Sequence, residues 1–345
     1  MTHKVTFFNC DRWGDVAKSY LSGSEKLKTA GVEVAFGDSI LCKDEIPTGD
    51  AANFDIAGVF MDSPVDATVI GALPELKFIT TLSTGFDHID LAAAAAHSIP
   101  VSSVPAYGEN TVAEFTFALI LALSRKVAEA NRRVVETGGF SQEGLRGFDL
   151  EGKTLGVVGG GHIGMRVVKI AKGFGMQVLV FDVNQNETLA RDAGFSYAPL
   201  DELLARSDIT TLHVPYNAHT HHLLNRETIS RMKRGSYLIN TARGAVVETK
   251  AIVEAIAEGT LAGAGLDVLE EEGDLSDELK LLGGAQPKPE ELATALANHY
   301  LMKHPRIIVT PHVAFNTSEA IARILDVTIS NIRAFSHGAP ENVVS

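Results

Sequence analysis

A run of glycines at mid-chain constrains the fold more than any other feature. Gly159-Gly160-Gly161-His162-Ile163-Gly164 follows the short apolar stretch Thr154–Val158 and precedes Met165–Ala171, whose apolar residues recur at helical spacing. A strand turning through glycines into a helix gathers backbone N–H groups and the positive end of the helix dipole at one point, which phosphate oxygens can approach closely. A second apolar run, Gln177–Phe181, ends in Asp182, an acid placed to accept a hydrogen bond from a ribose hydroxyl. Glycine-rich turns alone are common. The flanking strand, the following helix and the spaced acid together make this one a dinucleotide fingerprint, with Gly159, Gly161, His162, Ile163 and Gly164 expected at the pyrophosphate.

Asp182 also bears on which dinucleotide. A carboxylate at the adenosine ribose accepts from the free 2′-hydroxyl of NAD and repels the 2′-phosphate of NADP. The next residues, Val183-Asn184-Gln185-Asn186, bring no cation to neutralise such a phosphate. NAD is the expected cofactor.

A chain of 345 residues is long for a single core and suits two domains. Its net charge of −13 leaves no basic stripe to displace counterions, which argues against nucleic acid. Cys10 and Cys42 form neither a metal spacing nor a disulfide framework, as expected in a reducing cytosol. His219, His221 and His222 lack a carboxylate at useful spacing, so no metal site is expected there. The N-terminus runs straight into a strand without a signal-peptide core, and the most apolar helix, Val112–Leu123, is too short to span a bilayer. The expectation is a cytoplasmic protein without membrane attachment.

Strand and helix signals alternate on both sides of the fingerprint, which predicts an α/β chain of two doubly wound parallel sheets. Before it, Val5–Phe8, Val32–Phe36, Gly58–Phe60, Phe78–Leu82 and Val101 read as strands, with helices at Val16–Ala30 and Leu91–His97. A longer helical stretch covers about 110–136. After Asp182 come strands Ile209–Val214, Tyr237–Asn240, Gly263–Asp267 and Ile307–Thr310. The last amphipathic helix, Thr317–Phe335, is too small to stand alone and needs a core to cover. Returning it to the N-terminal sheet predicts a discontinuous substrate domain, 1–105 with 313–345, and a Rossmann NAD-binding domain, 106–312, with substrate held in a cleft between them. Gly273–Lys303 breaks the rhythm and reads as a surface excursion with one helix near Glu290–Asn298.

Three chemically capable residues directly follow strands of the cofactor domain, where ligands of parallel sheets gather. Arg243 lies in Asn240-Thr241-Ala242-Arg243-Gly244, Glu272 follows Gly263–Asp267 through Val268–Glu271, and His312 follows Ile307–Thr310 in Thr310-Pro311-His312. Singly, such residues are usually a surface cation, a solvated acid and a structural histidine. Together beside one cofactor they suggest acid–base chemistry and carboxylate binding.

With these motifs the chain resembles the D-isomer-specific 2-hydroxyacid dehydrogenases over nearly its whole length. The matching pieces are Ser83–Asp90, Val104–Tyr107, Gly159–Gly164 with Asp182, Leu212-His213-Val214-Pro215, Asn240–Gly244, Gly265–Val268 with Glu272, and Pro311-His312. The resemblance implies two α/β domains, a Rossmann unit and a flavodoxin-like substrate unit. It implies Arg243, Glu272 and His312 as catalytic residues and Thr84, Gly85 and Arg243 as holders of the substrate carboxylate. On the cofactor side it implies His213, Val214, Pro215, Thr220, Thr241, Ala242, Arg243 and Asp267, the last at the nicotinamide amide. The implied reaction is reduction of a 2-oxo acid to the D-2-hydroxy acid. His312 donates the proton, and Glu272 holds its other ring nitrogen and favours the imidazolium.

Tyr107 and Phe315 resemble the aromatic pair of the D-lactate dehydrogenase branch, implying a small or apolar 2-oxo acid of the pyruvate type. Gly58–Pro64 carries no Arg where phosphoglycerate enzymes place phosphate-binding cations, whereas Leu82, where relatives often carry Arg, and the long 273–303 segment depart from the pattern. Glyoxylate/hydroxypyruvate and phosphoglycerate dehydrogenases are alternatives, as is an NAD-sensing co-repressor of the same fold. Formate dehydrogenases fit less well, because that branch has an amide in place of the glutamate. The helix Val112–Leu123, apolar around most of its circumference, resembles the dimer helix of relatives and predicts a homodimer.

Overall fold

The computed structural model describes residues 3–272 and 288–344. The chain forms two compact units, Met1–Tyr107 with Thr317–Ser345, and Gly108–Asn316. The first holds a six-stranded sheet of β1 (His3–Phe7), β2 (Val32–Phe36), β3 (Ile56–Val59), β4 (Phe78–Thr81), β5 (Val101–Ser102) and, from the far end of the chain, β13 (Val343–Val344). Its order is β13-β5-β4-β3-β1-β2, parallel throughout except for β13, which pairs antiparallel with β5. The C-terminal helix, Ser318–Ser336, starts at a Thr317 cap whose side chain accepts from the Ala320 N–H. It covers this sheet by stacking Phe335 on Phe78, ring centroids 4.5 Å apart. Buried Asn331 donates to the Ser103 carbonyl and accepts from Asn342, tying helix, sheet and tail together.

The second unit is a seven-stranded sheet: β6 (Thr154–Val158), β7 (Gln177–Phe181), β8 (Ser196–Tyr197), β9 (Ile209–Leu212), β10 (Ser236–Asn240), β11 (Leu261–Leu266) and β12 (Ile307–Val309). The order β12-β11-β10-β9-β6-β7-β8 is parallel throughout. The chain runs outward from β6 to β8, then restarts on the other side at β9. This reversal between β6 and β9 is the switch point at which such sheets open a crevice for ligands. The strands are apolar on both faces because both are covered. Val158, Leu179, Leu238 and Leu266 enter one core, and Val157, Val178, Val180 and Ile239 enter the other.

Several elements depart from the sequence expectations for local reasons. The helix expected over Val16–Ala30 is two, Gly14–Ser22 and Glu25–Thr29. Ser24 caps the second one, accepting from the Leu27 N–H. The stretch 110–136 divides into Glu109–Ser124 and Val127–Thr137 at Lys126, which takes the left-handed conformation with φ of 51°. The division between units falls at 107/108 and 316/317 rather than 105/106 and 312/313, because the Val313 and Ala314 N–H groups bind the Asp267 carboxylate and hold that loop to the second unit. Helix Pro289–Lys303 is longer than the helix expected near Glu290–Asn298, and the rest of that excursion, 273–287, lies outside the described residues.

Candidate active site

At the end of β6 the chain makes the glycine turn. Gly159 has a φ of 101°, and a Cβ there would stand 2.5 Å from the His213 carbonyl oxygen. Gly164 packs the following helix onto the turn so closely that a Cβ would lie 2.0 Å from the Gly159 oxygen. At Gly161, by contrast, a Cβ would meet nothing within 4 Å. The space above the turn is therefore open while the space below it is filled. Helix His162–Gly173 begins at Gly161 without any side-chain cap, leaving its first N–H groups, those of His162 and Ile163 among them, available for an anion.

Asp182, just past β7, accepts from the Gly160 N–H at 2.7 Å through one carboxylate oxygen and from the Asn184 N–H at 2.7 Å through the other. These bonds fix the acid beside the glycine turn, and each oxygen keeps a lone pair for a ribose hydroxyl. The side chains present fit a dinucleotide: an open cradle, an uncapped helix end and an oriented acid. His213, after β9, bonds through Nε2 to Thr211 Oγ1 at 3.0 Å, and burial pushes its pKa down to about 3, so the ring is neutral. In the same loop the Thr220 hydroxyl donates to the Pro215 carbonyl and accepts from the Asn217 N–H, which commits it to closing the turn beyond Val214.

Three adjacent strands of this sheet deliver the remaining groups. After β10, the Asn240 side chain accepts from the Ala242 N–H and donates to the Arg243 carbonyl, shaping the loop that carries Arg243. Thr241 is turned to the helix Glu109–Ser124, where its hydroxyl meets that of Thr116 at 3.1 Å. Gly244 rests on the Leu269–Glu270 peptide so tightly that a Cβ would lie 2.0 Å from the Leu269 oxygen. After β11 comes Asp267, 1% exposed, whose carboxylate accepts from Thr310 Oγ1 and from the Val313 and Ala314 N–H groups. Burial holds that carboxyl above the usual carboxylate range despite these three donors. After β12, His312 has a φ of 51°, a conformation rare outside glycine, maintained by its N–H donating to the Asp267 carbonyl at 2.8 Å. Its Nδ1 donates to Glu272 at 2.9 Å, and Glu272 also accepts from the Leu269 N–H. Phe315 is buried edge-on to the His312 ring, with centroids 6.5 Å apart.

Arg243, Glu272 and His312 thus follow neighbouring parallel strands, which brings them to one sheet edge, and Glu272 and His312 are in direct contact. Sequence reasoning missed the knot beneath them. Glu270 takes His222 Nε2 at 2.6 Å and the Thr249 N–H at 2.7 Å, while the fully buried Asn298 donates to its carbonyl. The only available signal was Gly244, a residue whose close approach is invisible without the neighbouring loop.

In the first unit, the loop after β4 is held by Thr84 Oγ1 donating to the Val104 carbonyl and Ser83 Oγ donating to the Gly85 carbonyl. Leu82, noted above as a departure from the family pattern, is 2% exposed. The Tyr107 carbonyl accepts from Arg323 Nε, joining the end of this unit's first segment to the C-terminal helix.

A family profile described as D-isomer specific 2-hydroxyacid dehydrogenase, NAD binding domain, matches residues 117–314. The chain belongs to the D-isomer-specific 2-hydroxyacid dehydrogenases. Members of the family are NAD-dependent oxidoreductases of 2-hydroxy acids, and this chain is an enzyme of that kind. A glyoxylate reductase of Korarchaeum cryptofilum is 37% identical over 289 residues, covering 83% of this dehydrogenase and 81% of that protein. An aromatic 2-oxoacid reductase of Clostridium sporogenes is 37% identical over 261 residues, covering 75% and 76%. The crystal structure of D-lactate dehydrogenase from Aquifex aeolicus, complexed with NAD and lactic acid, superposes with a TM-score of 0.83 at 36% identity, covering 97% and 96%. The likeness to enzymes gives no support to the co-repressor alternative.

Proposed function

We propose that this dehydrogenase reduces a small 2-oxo acid of the pyruvate type to the D-2-hydroxy acid, with Arg243, Glu272 and His312 as its catalytic residues. The observation that carries the reading is the His312–Glu272 contact at 2.9 Å, on the edge that also presents Arg243. NADH, when bound, supplies the hydride. Arg243 pairs with the substrate carboxylate through two parallel N–H groups, a geometry that lysine cannot reproduce. The family resemblance assigns substrate contacts to Thr84 and Gly85, through their backbone N–H groups to the carboxylate, and to the Tyr107 and Phe315 rings, toward the 2-substituent. His312 gives its Nε2 proton to the carbonyl oxygen as the C–H bond forms, and in the reverse direction takes the hydroxyl proton back. Glu272 fixes the tautomer by accepting from Nδ1.

On the cofactor side, Gly159, Gly161, His162, Ile163 and Gly164 hold the pyrophosphate and Asp182 the adenosine ribose. The stretch His213–Pro215 with Thr220, together with Thr241, Ala242 and Asp267, lines the remainder. The working assembly is a homodimer in the cytoplasm. No described helix is long and apolar enough to cross a membrane. Helix Val127–Thr137 buries none of its residues, and Val135 and Phe140 are 74% and 93% exposed, an apolar surface that a second copy would cover. The test is NADH oxidation at 340 nm across a panel of 2-oxo acids, followed by chiral analysis. An L-product, or no oxidation with any 2-oxo acid, would overturn the reading.

A further inference from the structure

The loop after β4 is held by a chain of hydrogen bonds that starts at a histidine on its far side. His88 Nε2 lies 3.1 Å from Thr81 Oγ1, which lies 2.7 Å from Ser83 Oγ, which lies 2.6 Å from the Gly85 carbonyl oxygen. Thr81 and Ser83 are fully buried, so solvent offers their hydroxyls no alternative. Proton counting gives the chain one direction. A carbonyl oxygen only accepts, so the single hydroxyl proton of Ser83 goes to Gly85. Thr81 must then donate to Ser83 and, with its own proton committed, can only accept from His88. The ring therefore carries a proton on Nε2, and three donors in series polarise the Gly85 carbonyl.

Other bonds fix the two ends of this loop. The Val104 N–H donates to the Ser83 carbonyl, and the Val65 N–H donates to the His88 carbonyl beside the bridge between Val65 and Ile89. Between these anchors, the one hydrogen bond to the Gly85–Phe86 peptide among the described residues comes from Ser83. No described peptide bond is cis, and a trans peptide points its C=O and N–H in opposite directions. With the Gly85 oxygen drawn to Ser83, the Phe86 N–H faces away from that buried hydroxyl. It has no acceptor among the described residues, and neither have the Thr84 and Gly85 N–H groups. Three successive free N–H groups can share the two oxygens of one carboxylate.

We propose that His88 is a positioning residue for the substrate: through Thr81 and Ser83 it turns the Gly85–Phe86 peptide so that the Phe86 N–H joins those of Thr84 and Gly85 at the carboxylate of the 2-oxo acid. This rests on the functional reading above, which puts the carboxylate at this loop. His88 itself touches no substrate. Its effect falls on binding, because the carboxylate is the same in the 2-oxo acid and in the transition state. A misaligned donor therefore raises KM and leaves kcat alone.

The test is steady-state reduction of pyruvate by a small set of variants. His88→Ala should raise the KM for pyruvate by about three- to tenfold, the range of one hydrogen bond, with kcat and the KM for NADH within about twofold of wild type. His88→Gln places an amide nitrogen where Nε2 stands and should return KM to within about twofold of wild type. Ser83→Ala cuts the chain at its last link, so adding His88→Ala to it should raise KM no further. Effects that simply add, a loss in kcat at constant KM, or no rescue by glutamine would overturn the proposal and leave His88 to the fold. A second arm needs no turnover. The chain has 16 phenylalanines, and in protein labelled with 15N-phenylalanine the Phe86 amide signal is the one lost in Phe86→Leu. Without substrate, that signal should move in Ser83→Ala and in His88→Ala and return in His88→Gln. A signal unmoved by His88→Ala would refute the relay. Wild type that reduces no 2-oxo acid while the signal moves as expected would strike the functional reading, and with it the carboxylate as the ligand of this loop.

Discussion

His312 and Glu272 meet at 2.9 Å although forty positions separate them, because the loops after two adjacent strands are fastened together by a second acid. That acid, Asp267, takes the peptide N–H of His312 on its carbonyl and the next two N–H groups on its carboxylate. The backbone of His312 is strained, with a φ of 51°, and is held in place by these bonds. Glu272 then fixes the ring. His312→Ala should reduce kcat by about 10²–10⁴-fold while leaving substrate binding largely intact. Glu272→Ala removes the acceptor that orients the His312 ring, so kcat for 2-oxo acid reduction should fall by about tenfold or more with KM little changed. An unaltered kcat would show that the pair does not act together in catalysis.

Gly244 has a role that a chemical inventory of the site overlooks. It lets the Arg243 loop rest on the Leu269–Glu270 peptide, where any Cβ would collide with backbone atoms at 2.0 Å. Gly244→Ala should cost about 1–3 kcal/mol of stability through overpacking. Because the two loops must separate, it should also raise the KM for the 2-oxo acid more than the KM for NADH. Thermal unfolding and steady-state kinetics on the same preparation separate these effects. An unaltered KM ratio would mean that the Arg243 loop is not set by this contact.

The strand–glycine–helix unit and the three strand-end residues were legible in the sequence because they depend on local pattern: apolar runs, glycines at a turn, polar residues just past a strand. The two-residue strands β8 and β13 were not legible, since a pair of residues carries no periodicity. The break at Lys126 was hidden because a left-handed residue other than glycine leaves no compositional mark. Asp267 was singled out in the sequence only by resemblance. Its bonds to Thr310, Val313 and Ala314 were not legible, because they join loops that only the sheet order brings together. For the same reason the Glu270–His222 pair appeared in the sequence as one acid in a run and one histidine in a cluster.

Asp182 offers a test of the cofactor assignment. Its carboxylate is already oriented by the Gly160 and Asn184 N–H groups. Asp182→Ala should weaken NAD by roughly 1.5–3 kcal/mol, the range of a hydrogen bond to a charged group. NADP should lose less or gain, because the repulsion of its 2′-phosphate disappears. Comparing kcat/KM for the two reduced cofactors decides the point, and an unchanged ratio would remove Asp182 from the ribose.

His213 gives the fold a predictable acid sensitivity. Burial pushes its pKa down to about 3, so the folded protein keeps the ring neutral where the unfolded chain would protonate it below about 6.5. The neutral ring carries no penalty above that upper value, and stability falls as pH drops from there towards 3. One proton bound only by the unfolded state corresponds to at most about 1.4 kcal/mol per pH unit across this window. His213→Gln should flatten the acid side of the stability curve by up to that slope, measured as denaturant midpoints between pH 7 and pH 4. Parallel curves for the two proteins would show that His213 is solvated in the folded state.

The assembly can be tested at the surface that the fold leaves apolar. The helix Glu109–Ser124 was expected to carry more apolar residues than its own unit could cover, yet Phe117, Leu119 and Ile120 are buried within that unit and Phe115 and Leu121 pack against the same core. The uncovered apolar surface lies on the next helix instead. Val127, Val134 and Val135 are 55%, 44% and 74% exposed, and Phe140 just beyond is 93% exposed. A lone phenylalanine so exposed adds an aggregation risk unless a partner surface takes it, and aromatic residues are favoured anchors at the centre of interfaces. Phe140→Ser together with Val135→Glu should therefore shift the mass from dimer to monomer in light scattering at micromolar concentration, with little change in the unfolding of each chain. A wild-type monomer under those conditions would refute the dimer, and a dimer unaffected by both substitutions would place its interface elsewhere.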